Sequence, residues 1–230
     1  MTLDELKQEY QSIKNQESYA KFFKFSKQLT SSHEDTFLDY HLHVIGETEN
    51  NKILQVLANA FTKRGKSAEQ YLLKKINQEK DSRKKGMILQ MLGKMGSTDS
   101  IPHALDFIES EDSNLQYRGI IVIGWVGTPN ELEHLEEILL SHNNPEIRGY
   151  AATAMRQIWF RLPEVKDSVI NSLQKALNNE TTEETLSSII IVLQDIFKKK
   201  FGLKEDIDEG KINGNITLAK SKALKVLEAV

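Results

Sequence analysis

Residues 144–155 read Asn-Pro-Glu-Ile-Arg-Gly-Tyr-Ala-Ala-Thr-Ala-Met, and this segment has the pattern of an amphipathic helix. Asn144 can cap a helix, and Pro145 suits its first turn because the missing N–H costs little there. The apolar residues then recur at helical spacing, at Ile147, Ala151, Ala154, Met155 and Ile158. A helix with one apolar face must pack against a neighbour, so the segment is predicted to lie buried on that face.

A repeat surrounds this stretch. The motif at residues 93–96, Gly-Lys-Met-Gly, is followed 31 residues later by Gly-Trp-Val-Gly at residues 124–127. A step of 30 carries Arg118-Gly119 to Arg148-Gly149. Each unit is predicted to form two helices, and a fixed period of this size is typical of a solenoid, whose stacked units bury one continuous core.

The whole chain is predicted to be helical, and no segment alternates as a strand. Residues 204–215 are polar and are predicted to form a loop before the last helix. Within it, Asp206-x-Asp208-x-Gly210 partly matches a calcium loop, but Lys211 and Thr217 replace the required Gly and Glu, so a solvated loop is predicted. Helices are predicted near residues 3–14, 18–30, 34–45, 49–62, 67–78, 82–95, 99–109, 113–126, 130–141, 145–160, 164–177, 182–199 and 216–229.

The stretch quoted first resembles the short HEAT-like repeats first named from bilin lyases. That family's pattern is an acid or Asn, a Pro, an acid, an aliphatic residue, Arg and then several alanines. The resemblance implies an all-α fold, an α-solenoid of about five to six stacked HEAT-like hairpins in a single domain, 1–230. We expect N-terminal capping helices in 1–46, repeats in 47–200, and a loop and C-terminal helix in 201–230.

Composition bounds the chemistry. The 230 residues carry a formal net charge of −3 and include no cysteine, which excludes disulfides, thiolate metal sites and a cysteine nucleophile. The acidic balance argues against a nucleic-acid partner for the chain as a whole. The longest purely apolar run, residues 189–193, is too short to span a bilayer, and the N-terminus does not resemble a signal peptide. We therefore expect a soluble, cytoplasmic protein.

No catalytic, metal or cofactor site is predicted. The chain lacks Gly-x-Ser-x-Gly, the phosphate-binding loop motif and His-Glu-x-x-His. His41 and His43 are two residues apart on a helix and so point to different faces, which does not suit chelation. These histidines are predicted to be surface or packing residues.

A partner-binding surface is predicted on the second helix of each pair, which lines the concave face in the family that the chain resembles. The repeat step places Lys94, Trp125 and Arg156 at similar positions, and tryptophan and arginine are favoured interface anchors. Core packing is the alternative for the tryptophans, and bridging between repeats is the alternative for Arg118 and Arg148. The predicted partner-binding residues are Gln90, Lys94, Arg118, Trp125, Arg148, Arg156 and Trp159.

The predicted function is that of a non-catalytic, protein-binding HEAT-repeat module or scaffold. Its most concrete forms are a bacterial toxin-immunity protein or an adaptor that binds a protein partner on the concave surface. The alternative comes from the resemblance, which includes two HEAT-like enzymes: a bilin-lyase-type protein, or a DNA glycosylase for alkylated bases. The glycosylase hypothesis requires a basic groove lined with aromatic residues.

Overall fold

The computed structural model describes residues 2–16, 18–206 and 211–229. It divides into two compact units, Met1–Ser100 and Ile101–Val230. In both units, helices follow one another as antiparallel pairs. Within each unit, the first helices of the pairs form one layer and the second helices form the other, because each amphipathic helix buries its apolar face against its partner.

The N-terminal unit holds three pairs. The first helices carry odd numbers and the second helices even ones, and α2, α4 and α6 pack side by side in that order. The core includes Phe22, Phe25 and Phe61, all at most 2% exposed. The helices are α1 (Leu3–Ile13), α2 (Tyr19–Leu29), α3 (Asp35–Glu47), α4 (Asn51–Thr62), α5 (Lys66–Gln78) and α6 (Ser82–Lys94).

The C-terminal unit holds three further pairs and one closing helix. Here α10 packs between α8 and α12, while the first helices α7, α9 and α11 lie behind them. Short 3-10 turns at Pro129–Glu131 and Pro163–Val165 lead into α9 and α11. The helices are α7 (Ile101–Ile108), α8 (Ser113–Val126), α9 (Leu132–Ser141), α10 (Pro145–Arg161), α11 (Lys166–Asn179), α12 (Glu183–Phe197) and α13 (Ile216–Leu227).

The predicted fold class is confirmed. Six helical pairs in the described residues agree with an all-α solenoid of about five to six hairpins, and each α-helix begins and ends within two residues of its prediction. The caps also form as expected, with the Asn144 side chain accepting a hydrogen bond from the Glu146 N–H. The division into caps and repeats within one domain stays a prediction. No helix among the described residues is long and apolar enough to cross a bilayer.

The loop predicted at residues 204–215 is wrong in part. Strands β1 (Leu203–Asp206) and β2 (Lys211–Gly214) form an antiparallel ladder, with Leu203 opposite Gly214 and Asp206 opposite Lys211. Backbone pairing holds this hairpin, and so does the Gln194 side chain, which accepts from the Phe201 N–H at 2.7 Å and donates to the Leu203 carbonyl at 3.1 Å. Two of the calcium-loop positions, Asp208 and Gly210, lie outside the described residues.

Two glycines let helices approach closely in the C-terminal unit. A Cβ at Gly119 would lie 2.5 Å from the Ala104 carbonyl oxygen, and one at Gly124 would lie 3.1 Å from the Ala154 Cα. Real Cβ atoms do not approach a neighbour as closely as in the first case, so the close approach of α7 to α8 at this position requires glycine. The small residues at the α8–α10 contact act in the same way, and Ala154 is 2% exposed.

Candidate binding surface

The second helices of the N-terminal unit enclose a groove. Between α2 and α4 lies a cavity of about 600 Å³. Its lining residues recur every three or four positions, so they lie on one face of each helix. Phe22 and Leu57 lie on a different face of these helices, which is buried in the core. The residues that line it are Tyr19, Phe23, Ser26, Lys27, Thr30, His33, Lys52, Gln55, Val56, Asn59, Ala60, Lys63 and Arg64.

Two exposed aromatic side chains stand at one edge of this groove. Tyr19 is 58% exposed and Phe23 is 46% exposed. Their ring centroids are 6.3 Å apart with nearly parallel planes, and the Lys27 ammonium lies 4.6 Å from the centroid of the Phe23 ring. Large apolar side chains at a surface, held beside cations, form a ready contact area for a partner.

The charge of the groove is entirely positive. Helices α2, α4 and α6 contain no Asp or Glu. The ion pairs of the described residues do not include Lys27, Lys52, Lys63 or Lys94. The groove is therefore a local basic surface in a chain whose net charge is −3. Such a surface attracts anionic groups.

A buried polar cluster supports the groove from below. The Arg64 guanidinium donates to the carbonyl oxygens of Leu29 and Ser32 and, at 3.4 Å, to His41 Nδ1. The other ring nitrogen of His41 donates to the Leu57 carbonyl at 3.0 Å. Burial, together with the nearby charge of Arg64, lowers the pKa of His41 to about 3, so the imidazole stays neutral and can accept from Arg64. Because Arg64 ties α4 to both α2 and α3, it fixes the walls of the groove.

Two of the sequence-predicted residues, Gln90 and Lys94, lie at a second cavity of the same unit. This cavity of about 240 Å³ lies between α4 and α6, and Gln55 lines it as well as the first. Its other walls are mostly apolar: Ile45, Leu54, Ala58, Met87 and Met91. Lys94 is exposed at its edge. The structure thus places these two residues at a mostly apolar cavity that adjoins the basic groove at Gln55.

Both tryptophans are half-buried on second helices of the C-terminal unit. Trp125 lies on α8, near its end, where Arg161 donates to the carbonyl oxygens of Gly124 at 3.1 Å and Gly127 at 2.7 Å. Trp159 lies on α10, and its ring centroid is 4.9 Å from that of Phe160. Phe160 is 57% exposed, and the repeat pattern did not single it out.

Arg156 is engaged inside the molecule. Its guanidinium forms an ion pair with Asp195 on α12, in which nitrogen and oxygen are 2.5 Å apart but the angles are not those of a hydrogen bond. The same guanidinium donates a hydrogen bond to Glu205 on β1 at 3.3 Å. It also lies 5.5 Å from the centroid of the Phe160 ring. Its side chain is 21% exposed. Arg156 therefore joins three elements, and its contact with a partner stays a prediction.

Arg148 makes the bridge between repeats that was the alternative to partner contact at this position. Its guanidinium donates to Glu180 at 2.7 and 3.1 Å and to the His142 carbonyl at 2.7 Å. Burial disfavours the charged Glu180 carboxylate, but hydrogen bonds from Arg148 and from Thr182 and Thr181 more than offset it and lower its pKa to about 2. The second arginine of the pattern, Arg118, donates to Asn114 at 2.8 Å within α8.

Comparison with known proteins supports the fold. Residues 69–156 match the family model for HEAT repeats. The chain therefore carries HEAT-like repeats, as the sequence predicts, while the bilin-lyase subtype stays a prediction. No curated protein shows significant similarity to the chain. In the described residues, no group of three or more His, Asp or Glu side chains has the arrangement of a metal site.

Proposed function

We propose that this protein is a non-catalytic module that binds a protein partner through its second helices. A toxin-immunity protein or an adaptor is the most concrete form of this role, in a cytoplasmic setting. HEAT repeats support a scaffold role, because stacked helical pairs offer a long, rigid surface whose exposed side chains are free to vary. The proposal includes that the partner binds on the concave face of the second helices.

The observation that carries the proposal is the exposure of aromatic residues on second helices. Five large apolar side chains are exposed among the described residues, and three of them lie on α2 or α10: Tyr19, Phe23 and Phe160. Aromatic rings supply large contact area at little cost in conformational entropy, and they are enriched at the centres of protein interfaces. A solenoid without a partner would gain nothing from leaving them in water.

Affinity capture from native lysate, followed by quantitative mass spectrometry, tests this role. The intact protein is compared with Phe160→Ala and Trp125→Ala, with melting temperatures measured on the same samples. We expect a reproducible protein partner whose recovery falls at least about tenfold with a variant that keeps its melting temperature, since hot-spot truncations cost about 2 kcal/mol. Arg156→Glu is less informative, because it also breaks the ion pairs with Asp195 and Glu205. Recovery of no selective partner would contradict the proposal.

One observation favours a second candidate, the DNA glycosylase for alkylated bases. The groove between α2 and α4 is basic and has aromatic residues at its edge, as that activity requires. However, hydrolysis of glycosidic bonds generally uses carboxylates as acid, base or nucleophile, and no Asp or Glu lines this groove. Release of alkylated bases from duplex DNA by the purified protein, lost in Tyr19→Ala, would favour the glycosylase over the binding module.

A further inference from the structure

The groove of the N-terminal unit extends across three second helices. Its two cavities, of about 600 and 240 Å³, share Gln55 on the middle helix, α4. Small-molecule sites are usually more enclosed and centred on one cavity. A shallow channel that runs from α2 across α4 to α6 fits an elongated ligand, such as a segment of polypeptide, better than a compact metabolite.

One of the positive charges in this channel, Lys52, is placed where it destabilises the free protein. Lys52 lies in the first turn of α4, whereas Lys27 and Lys94 lie in the last turns of α2 and α6 and Lys63 is the C-cap of α4. The partial positive charge at a helix N-terminus disfavours a cation, and the first turn of α4 contains no acid to compensate for Lys52. The unpaired lysines also repel one another. An anionic ligand would relieve both effects, so the charge pattern indicates a negatively charged partner.

The apolar parts of the channel indicate what kind of anion this is. Leu54, Met87 and Met91 line the cavity between α4 and α6, and Tyr19 and Phe23 stand at the far end between α2 and α4. Methionine side chains are flexible and adapt to different apolar groups. A nucleic-acid backbone would use the lysines but would leave a cavity lined with Leu and Met unfilled. A peptide with both acidic and apolar side chains would use both.

We propose that this channel binds an acidic, amphipathic segment of a protein partner, with carboxylates on Lys27, Lys52, Lys63 and Lys94 and apolar side chains between them. The binding mode is that of a helix or extended segment in a groove, in which apolar anchors supply affinity and charges supply steering and register. The inference rests on the proposed protein-binding role, and it assigns the partner's chemistry and the helices that receive it.

Selection from a random peptide library displayed on phage, with the intact protein as bait, tests the proposal before any partner is identified. Peptides of about 12 residues suffice, since 12 residues of helix make a little over three turns and span about 18 Å. We expect the enriched peptides to be acidic and to carry apolar residues at regular spacing. The most enriched peptide, synthesised with a fluorophore, is then the probe for the variants. Enrichment of neutral or basic peptides would overturn the proposal.

Charge reversal at the channel separates it from the rest of the surface. In fluorescence titrations, Lys52→Glu combined with Lys63→Glu should weaken probe binding at least about tenfold, and Phe23→Ala should weaken it several-fold. Phe23 is exposed, so its replacement should leave the fold intact, which circular dichroism checks. Lys74→Glu is the matched control, because it makes the same charge change on the exposed surface of α5. Equal loss in Lys74→Glu would show nonspecific attraction and overturn the proposal.

Two further measurements distinguish the rival outcomes. If duplex DNA binds more tightly than every selected peptide, with a steep dependence on salt, then the ligand of the channel is a nucleic acid and not a peptide. If affinity capture recovers a partner whose binding depends on Trp125 or Phe160 but is unchanged in the Lys52 and Lys63 double variant, this inference fails while the proposed function stands. If neither experiment yields a protein or peptide ligand, both fail.

Discussion

The second helices of the two units use their cations in opposite ways. In the C-terminal unit, Arg148 donates a hydrogen bond to Glu180, and Arg161 donates one to a backbone carbonyl group at the end of α8. In the N-terminal unit, Lys52 and Lys63 have no ion pair among the described residues and surround an open groove. Arg148, which the repeat pattern emphasises, therefore helps to hold the repeats together, whereas Lys52 and Lys63 are exposed beside the groove.

The spacing between neighbouring second helices also differs between the two units. Glycine and alanine let α8 and α10 touch, whereas longer side chains on α2 and α4 leave a cavity of about 600 Å³. Residues 69–156, which match the HEAT-repeat model, include α8 and most of α10 but neither α2 nor α4. The tight contacts between α8 and α10 thus fall within the matched repeats and the larger cavity lies outside them, whereas α6, which the match also includes, lines the smaller cavity.

The largest expected effect breaks the tight packing of the C-terminal unit. Ala154→Asp buries a carboxylate without a partner at the α8–α10 contact, and it should lower the free energy of unfolding by several kcal/mol. Ala60→Asp is the matched control, because Ala60 is half-buried and lines the open groove, where water and lysines can receive the charge. Urea denaturation measures both. Similar losses for the two variants would show that the groove is as closely packed as the α8–α10 contact.

The next effect concerns the bridge between repeats. Arg148→Met keeps the length of the side chain but leaves Glu180, whose side chain is 9% exposed, without its guanidinium. Removing one member of a mostly buried ion pair costs about 3 kcal/mol, because the other charge stays desolvated. Lys175→Met is the control, since its ion pair with Glu136 is 59% exposed on the lysine side and should contribute less than about 1 kcal/mol. A loss in Arg148→Met as small as the loss expected for Lys175→Met would show that Arg148 is not a structural residue.

The same ion pair predicts a dependence on pH. The folded-state pKa of Glu180 is about 2, below its ordinary value of 4.5, so its ionisation stabilises the fold above pH 4.5. That stability is lost as pH falls from 4.5 to 2, because the unfolded chain takes up the proton first. The contribution is about 2 kcal/mol once the partial exposure of the pair is allowed for. Thermal unfolding across this window should therefore show a smaller slope for Arg148→Met than for the unaltered protein, and equal slopes would contradict the assignment.

The fold could be predicted closely because its signals are local. Caps such as Asn144, prolines in first turns and apolar spacing each act within a few residues, and together they placed every α-helix within two residues. The hairpin at Leu203–Asp206 could not be found in this way. Its strands have four residues each, too few to show alternation, and Gln194 supports them from another element.

The candidate site was only half predictable for a related reason. Gln90 and Lys94 were found because α6 obeys the repeat step, and they line the smaller cavity. Tyr19, Phe23 and Lys52 were missed, since they fall outside the positions that the repeat step relates, although the same step carries Lys63 of the groove to Lys94. Their signal was compositional: residues 18–33 and 50–68 contain no Asp or Glu in a chain with 33 acidic residues. Such a signal indicates a basic surface only when the two stretches are known to be neighbours.

The smallest expected effect tests whether Lys52 of the groove stabilises the folded protein. Lys52 is in the first turn of α4, where the helix dipole disfavours a cation, and other unpaired lysines lie nearby. Lys52→Glu should therefore raise the free energy of unfolding by about 0.5 kcal/mol at low salt, and less at high salt because of screening. Lys74→Glu, toward the C-terminal end of α5, should lower it slightly, since a cation is favourable there. Urea denaturation at two salt concentrations measures the sign of the change in unfolding free energy for both variants.

A protein that is stabilised by losing Lys52, yet binds acidic peptides less well, retains that lysine for its partner. Destabilisation by Lys52→Glu would instead assign Lys52 a structural role and remove it from the proposed channel.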